Sequence, residues 1–318
     1  MEKITLLQIR DLGQTIGDPF LFFRANFKLL FKAFLYYAVP LLAIEVILLL
    51  FGHKTSSPFY TGYGSSAALR GFGAKAVLGY LFSLIVSLTQ QFYVIELLLL
   101  KSDHEDVTNA EVLGKMKEDW GIFIATFLSL IPLFMVFVIF MAIIVGLASL
   151  LGNILLVPAI IGIFVIAGYG LVALSNLFFI RLREKISIGD SMSKCFKLMA
   201  GSWWKTVTAW FVSASIFYAI SFSIIAFFGV FVFIFNFHNL SSGLDSTTTR
   251  VAIITAITGV TTTLGTFVFH FMANIITVFT GINYFSLSEK YDNYHLKAEI
   301  NQLGQIQDNN THRQEGEY

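Results

Sequence analysis

The sequence predicts an all-α polytopic membrane protein. Six transmembrane helices are expected to form three hairpins, each preceded by a cytoplasmic, interfacial amphipathic helix. Three observations carry this prediction: an apolar composition, six long apolar runs, and a helix start signal that recurs three times. Hydrophobic residues make up 56% of the 318 residues and charged residues only 13%, whereas soluble domains usually contain about 25% charged residues. The chain is therefore expected to belong in a lipid bilayer.

Six apolar runs are each long enough to cross the hydrocarbon layer, which is about 30 Å thick and needs about 20 residues of helix. The runs do not alternate apolar and polar residues as barrel strands do, so helices are expected. They lie near 29–51, 76–100, 121–150, 154–180, 206–236 and 251–285.

The start signal is a hydroxyl residue followed three positions later by an acid. It occurs as "TIGD" from Thr15, "TNAE" from Thr108 and "SIGD" from Ser187. This is the capping-box pattern, in which two side chains satisfy free amides in the first turn of a helix. A large aromatic side chain follows each signal and is expected to anchor the chain at the headgroup level. These anchors are Phe27, Trp120, Trp203 and Trp204.

The three signals predict three tandem copies of one unit, near 15–100, 108–180 and 187–285. An alternative is that ordinary cytoplasmic membrane boundaries share these residue types without any repetition. Residues 1–290 are predicted to form one six-helix membrane domain. Residues 291–318 are polar and lack an apolar face, so a disordered cytoplasmic tail is expected there.

The distribution of basic residues predicts the orientation. The N-terminal segment to residue 32, the segments 101–120 and 181–205, and the residues after the sixth run (286–318) hold 17 of the 21 Lys and Arg residues. Basic residues concentrate on the cytoplasmic side of membrane proteins, so both termini are expected to be cytoplasmic. The first 26 residues show no pattern of a cleaved signal peptide, so the membrane helices are expected to direct targeting.

The opening stretch "RDLGQTIGDPFLFFRANFKLLFKAFLYYAVP", together with six spans and basic inner loops, resembles a group of bacterial six-helix integral membrane proteins. This group includes the membrane domain attached to some glycerophosphoryl diester phosphodiesterases and the YciC-like proteins. The resemblance implies a helical membrane module in the bacterial inner membrane, and it transfers no catalytic residue. The phosphodiesterase chemistry of the fused relatives belongs to a separate soluble barrel, for which no segment here is long enough.

Motifs for catalysis or cofactor binding are absent from the sequence. There is no phosphate-binding loop, nucleophile elbow or zinc-protease motif, and the single Cys195 excludes an internal disulfide. The "DHED" run at 103–106 has acids and a histidine that could hold a divalent ion, but adjacent loop acids are usually just solvated. No enzyme activity, metal, cofactor or nucleic-acid partner is therefore predicted.

Polar and ionisable residues within the apolar runs are the candidate functional residues, because burying them in a membrane is costly. Glu45 lies in the first run, and His270 and Asn274 lie in the sixth. If these two helices touch, a carboxylate and an imidazole could pair and carry protons. In the alternative interpretation, each side chain bonds a neighbouring polar residue and only holds helices together.

Other polar residues in the runs have simpler expected roles. Glu96 is five residues before Lys101 and is expected to reach the inner interface. Asn176, Asn274, Gln90 and Gln91 can hydrogen-bond between helices.

Three classes of function remain open. The first is a non-enzymatic membrane module that organises envelope components or partner proteins, with membrane lipids around it. The second is a transporter or lipid-moving protein with a polar site near Glu45 and His270. The third, an enzyme acting on lipid headgroups, would need polar residues that converge at one interface, and the sequence supplies no such set.

Overall fold

The computed structural model describes the backbone of residues 5–52, 66–104, 106–151, 153–241 and 247–293. Within these ranges helices are the only regular secondary structure, which confirms the all-α part of the prediction. The helices are α1 (Leu12–Ala25), α2 (Phe27–Gly52), α3 (Ser66–Asp103), α4 (Asn109–Leu151), α5 (Asn153–Leu174), α6 (Leu177–Glu184), α7 (Ile188–Met199), α8 (Trp203–Ser241) and α9 (Thr247–Asp292).

Five stretches of the described helices are long and apolar enough to cross a membrane. They are Leu81–Asp103, Asn109–Ser149, Val157–Glu184, Trp203–Val230 and Gly265–Asp292. The predicted first span falls within α2, whose side chains from residue 45 onward lie outside the described residues.

The exposed side chains of these helices suit a lipid environment. About half of the most apolar stretch of α3 and of α9 is buried, whereas none of that of α4 is buried. Large apolar side chains such as Phe134, Phe164 and Phe222 are mostly exposed. Soluble monomers rarely expose continuous apolar surfaces of this extent, so the surface is compatible with a membrane protein.

One of the three predicted capping boxes is complete, and a second is half formed. At the start of α4, the Thr108 amide donates to the Glu111 carboxylate (3.1 Å) and the Glu111 amide donates to the Thr108 hydroxyl (3.4 Å). At the start of α7, the Asp190 amide donates to the Ser187 hydroxyl at 3.2 Å. The Ser187 hydroxyl donates in turn to the Asp190 carboxylate at 2.6 Å. These bonds satisfy donors that a helix start otherwise leaves free.

The predicted helix start at Thr15 is wrong by one turn. Helix α1 begins at Leu12, and its capping box joins Asp11 and Gln14. The Gln14 amide donates to the Asp11 carboxylate (2.7 Å), and the Asp11 amide donates to the Gln14 side chain (3.2 Å). The Thr15 hydroxyl instead donates to the Asp11 carbonyl. The motif "DLGQ" competes with "TIGD" for the same role, and the earlier motif forms the box.

The three predicted entry helices also differ in how they end. Helices α1 and α2 are separated at Asn26, and α7 and α8 are separated by residues 200–202, where Gly201 adopts a φ of +75°. By contrast, α4 runs without a break through Trp120. The second copy therefore has no separate entry helix, because no glycine turn or cap interrupts the helical hydrogen bonding there.

The chain divides into two compact units. Unit 1 comprises Met1–Phe22, Ile95–Val212 and Val278–Tyr318, and unit 2 comprises Phe23–Val94 and Ser213–Thr277. Unit 2 contains a cluster of aromatic rings centred on Phe271. Its centroid lies 5.2 to 5.6 Å from the rings of Phe23, Phe27, Phe31 and Phe34, distances at which aromatic pairs add to the burial energy.

Unit 1 is packed closely around Gly281 of α9. A Cβ atom at this position would lie 2.6 Å from Leu98 and 2.8 Å from the ring of Phe179. The Phe179 ring also stacks on Tyr284, with the centroids 5.5 Å apart. Only glycine allows this approach, so α9 can lie directly against α3 and α6.

Candidate functional site

His270 of α9 is held between two serines of α3. The Ser83 hydroxyl lies 2.9 Å from Nε2 of His270, and the Ser87 hydroxyl lies 3.0 Å from Nδ1. The two serines are one helical turn apart and therefore share a face of α3. A neutral imidazole has one N–H donor and one acceptor nitrogen, and the two hydroxyls satisfy both.

A second polar contact lies one turn further along α9. The Asn274 amide nitrogen is 3.5 Å from the Gln90 side-chain oxygen, and both residues are buried. The length of this bond makes it weak. The prediction that Gln90 and Asn274 bridge helices is nevertheless confirmed, whereas Gln91 is exposed. Among the described residues, the Asn176 side-chain amide donates to the Ala173 carbonyl of its own segment and to no other helix.

The predicted pairing of Glu45 with His270 lies outside the described residues, because the Glu45 side chain is not among them. It stays a prediction. The two serine contacts show that His270 needs no carboxylate partner to be satisfied. This arrangement favours the packing interpretation of His270 over the proton-carrying one.

Glu96 is the polar residue whose environment differs most from the expected one. The sequence predicts that it reaches the interface, but its side chain is fully buried in unit 1, with 0% exposure. Neither carboxylate oxygen has a hydrogen-bond partner among the described residues. A buried polar group without a partner carries a desolvation cost, so Glu96 is an energetic liability in this fold.

Asp119 of α4 lies near Glu96 and is also buried, but it has two cationic partners. The Lys115 ammonium is 3.2 Å from one carboxylate oxygen, and the Lys185 ammonium is 3.1 Å from the other. Glu118, which is exposed, contacts the same two lysines at 2.9 and 3.3 Å. We call Glu96, Lys115, Glu118, Asp119 and Lys185 the carboxylate cluster, because these charges act on one another.

Lys185 joins the end of α6 to α4. Its hydrogen bond to Asp119, followed by that to Glu118, raises the pKa of Lys185 above its ordinary value. Two arginines close to Lys185 in the basic segment 181–205 also make contacts inside the protein. Arg181 donates to the Ile186 carbonyl, and the Arg183 guanidinium lies 5.3 Å from the centre of the Phe285 ring. This basic segment therefore contributes to internal packing.

The predicted aromatic anchors lie at three different places in their helices. Phe27 is the first residue of α2 and Trp203 the first residue of α8, whereas Trp120 lies inside α4. Trp204 is 73% exposed, and its ring is in edge contact with that of Trp203 at 4.3 Å. Phe27 and Trp120 are each about half exposed.

The acidic run at 103–106 contains residue 105, which lies outside the described residues. His104 is 3.6 Å from the carboxylate of Glu111, and both side chains are about half exposed. Across the described part of the chain, no group of three or more His, Cys, Asp or Glu side chains could hold a metal ion.

Cys195 lies on the buried face of α7 with no exposed surface. Burial raises the pKa of the Cys195 thiol to about 12. The thiolate is the reactive form, so this cysteine is a packing residue in the folded state.

Sequence reasoning missed the carboxylate cluster and the close approach at Gly281. Lys115 and Asp119 are spaced i, i+4, which is a recognisable helix pair, but Glu96 is distant in the chain and has no local signal. Gly281 appears in the sequence as a single glycine in an apolar helix, and such a glycine often marks a packing contact.

Comparison with known proteins returned nothing: no family model, curated protein or solved structure matches this chain.

Proposed function

We propose that this chain is a non-enzymatic integral membrane module that organises envelope components or partner proteins in the bacterial inner membrane. The observation that carries the proposal is the use of the intramembrane polar residues. His270 bonds Ser83 and Ser87, and Asn274 bonds Gln90, so these side chains hold helices together.

The proposed arrangement is six spans in three hairpins, with both termini in the cytoplasm. Five apolar stretches and the helical α2 support the number of spans. The concentration of 17 of 21 basic residues in one set of segments supports the orientation. The resemblance to bacterial six-helix membrane proteins points to the same architecture.

The exposed side of α7 is the proposed contact for a cytoplasmic partner. Ser191, Cys195, Leu198 and Met199 form its buried face. Phe196 and Lys197 are exposed on the other side, and no ion pair in the described part of the chain involves Lys197. Exposed aromatic rings are enriched at protein interfaces, and the charge of Lys197 would complement an acidic partner segment, although the Phe196 ring also stacks on Tyr169.

The test is site-specific photo-crosslinking in cells. A crosslinking amino acid at Lys197 is expected to yield a protein adduct of defined mass. The same residue at Phe211, which is exposed on the apolar surface of α8, is expected to yield lipid adducts. Lys197→Glu should abolish the protein adduct obtained from a crosslinker at Ser193, whereas the matched variant Lys117→Glu on α4 should retain it.

The alternative is a transporter or lipid-moving protein with a polar site near Glu45 and His270. Reconstituted vesicles distinguish the two. A proton or lipid flux that disappears in both Glu45→Gln and His270→Ala, while both variants remain folded, would replace the module proposal. Lipid adducts alone at every crosslinking position would also contradict it.

A further inference from the structure

We infer that the N-terminus of α8 is a binding site for the phosphate of an anionic lipid, held by Lys205 and Lys290. This goes beyond the proposed module function, because it assigns a specific ligand to one helix end. All residues involved belong to unit 1.

The first feature of this site is the free donor capacity at the helix start. An α-helix leaves its first amides without intrahelical partners, and the helix dipole places positive charge there. The Thr206 amide donates to the Ser202 carbonyl, which marks the start of the ladder. The Ser202 hydroxyl, in the capping position, accepts from the Lys290 ammonium at 2.8 Å. This hydroxyl receives a cation, and in the described part of the chain no amide of α8 donates to it.

The second feature is an unpartnered side chain in the same turn. Thr206 is 2% exposed, and its hydroxyl has no hydrogen-bond partner among the described residues. It lies one turn beyond Ser202, on the same face of α8 that contacts Lys290. The indole N–H of Trp203 is likewise buried and unpartnered. Buried donors normally have hydrogen-bond partners, so the Thr206 hydroxyl and the Trp203 indole are two donors in this turn that a ligand could satisfy.

The third feature is the balance of charge. Lys205 contacts the Arg10 carbonyl, and the charges that act on it are Lys290, Arg10 and Asp11. Arg10 is already neutralised by Asp18, with 2.7 Å between Nε and the carboxylate. Neither Lys205 nor Lys290 has an ion-pair partner in the described part of the chain. The two ammonium groups of Lys205 and Lys290 face one exposed carboxylate, that of Asp11. The excess positive charge would be neutralised by a singly charged phosphodiester.

The fourth feature identifies the source of the phosphate as a lipid. Helix α8 begins an apolar stretch long enough to cross a membrane, so its first turn is expected at the headgroup level. Trp203 and Trp204 occupy this turn, and tryptophan is enriched at that depth. Lysines near an anionic membrane surface contribute about 1 kcal/mol each to its attraction.

The test is lipid retention measured by native mass spectrometry on the full chain in nanodiscs. We expect one phosphatidylglycerol molecule per chain to be retained in preference to phosphatidylcholine. The double variant Lys205→Gln/Lys290→Gln should lower the apparent affinity roughly thirtyfold, from about 1 kcal/mol per lysine. The matched control Lys28→Gln/Lys32→Gln removes two exposed lysines of α2 and should retain the lipid.

A second measurement covers the case in which the lysine variant fails to fold. In a chain with Trp120→Phe and Trp210→Phe, brominated phosphatidylglycerol should quench the remaining fluorescence of Trp203 and Trp204 more than brominated phosphatidylcholine does. Equal quenching by the two lipids would overturn the site. So would equal loss of lipid in the control pair, or complete displacement of the lipid by millimolar inorganic phosphate.

Discussion

Both compact units bury polar side chains, but the two units provide them with different kinds of partner. Unit 2 uses neutral groups: His270 with Ser83 and Ser87, and Asn274 with Gln90. Unit 1 uses ion pairs, in which Lys115 and Lys185 contact Asp119. In the described part of unit 1, Glu96 is buried with neither a hydrogen-bond partner nor an ion pair, whereas Asp119 has the two lysines.

The difference follows from what each kind of contact requires. A neutral imidazole between two hydroxyls satisfies every donor and acceptor without separating charge, so it remains favourable in an apolar environment. An ion pair needs partial contact with water or further hydrogen bonds to offset its desolvation. Lys115 and Lys185 provide this contact, because both side chains are partly exposed.

The largest expected effect concerns unit 2. His270→Ala should lower the free energy of unfolding by about 2–4 kcal/mol, because it opens a cavity and leaves two serines unpaired. Denaturant titration in mixed micelles measures this loss. Ser83→Ala/Ser87→Ala should also destabilise, whereas Ser223→Ala should not, since that hydroxyl bonds only its own helix. Equal stability of all three variants would show that the imidazole contacts do not hold unit 2 together.

The next effect concerns the ion pairs of unit 1. Asp119→Asn should lower the free energy of unfolding by about 1–3 kcal/mol, because it removes the anion that two lysines share. Glu118→Gln is the matched control, since Glu118 contacts the same lysines from an exposed position and its loss should change stability little. A larger loss of stability in Glu118→Gln than in Asp119→Asn would show that Glu118, and not Asp119, is the main partner of the two lysines.

Asn274 provides a smaller effect within unit 2. Asn274→Leu should cost about 0.6 kcal/mol, the typical value of one hydrogen bond between membrane helices. Its bond to Gln90 is 3.5 Å long, so a cost as large as that of His270→Ala is not expected. A double-mutant cycle with Gln90→Leu measures the coupling directly, and a coupling energy of zero would remove this contact from the comparison.

Substitution of Glu96, unlike the substitutions above, is not expected to lower the free energy of unfolding. Glu96→Gln keeps the shape of the side chain and replaces a buried ionisable group near Asp119 by a neutral amide, so stability should stay constant or rise by up to about 1 kcal/mol. The same denaturant titration tests the prediction. A loss of stability similar to that of Asp119→Asn would mean that Glu96 contributes a favourable contact to the cluster.

Cys195 can report on the folding of unit 1 without any substitution, because it is the single cysteine of the chain. With the pKa of the buried thiol raised to about 12, the thiolate fraction at pH 8 is on the order of 10⁻⁴. Maleimide labelling should therefore require unfolding of unit 1. The unfolded thiol ionises near pH 9.0, so stability should fall as the pH rises above that value. Rapid labelling of the folded protein at pH 8 would contradict the burial.

The same comparison shows how far local sequence signals reach. The capping pairs at Thr108 and Ser187 were predictable because a cap depends on residues three apart. The failure at Thr15 was also local, since Asp11 and Gln14 supply an equivalent box one turn earlier. Helix α4 continues through Trp120 because no helix-ending residue interrupts it there. The apparent repeat nevertheless predicts a separate entry helix at this position.

The sequence by itself determined the helical class, five of the apolar stretches and two of the three predicted helix starts, because these depend on composition and on neighbours within one or two turns. Tertiary structure alone decided which polar residues meet. His270 contacts serines more than 180 positions away, and Glu96 is buried near an aspartate of another helix. Such contacts depend on helix rotation and packing distance, which no short stretch of sequence encodes. The buried carboxylate of Glu96 and the glycine contact at Gly281 could therefore be recognised only in the folded chain.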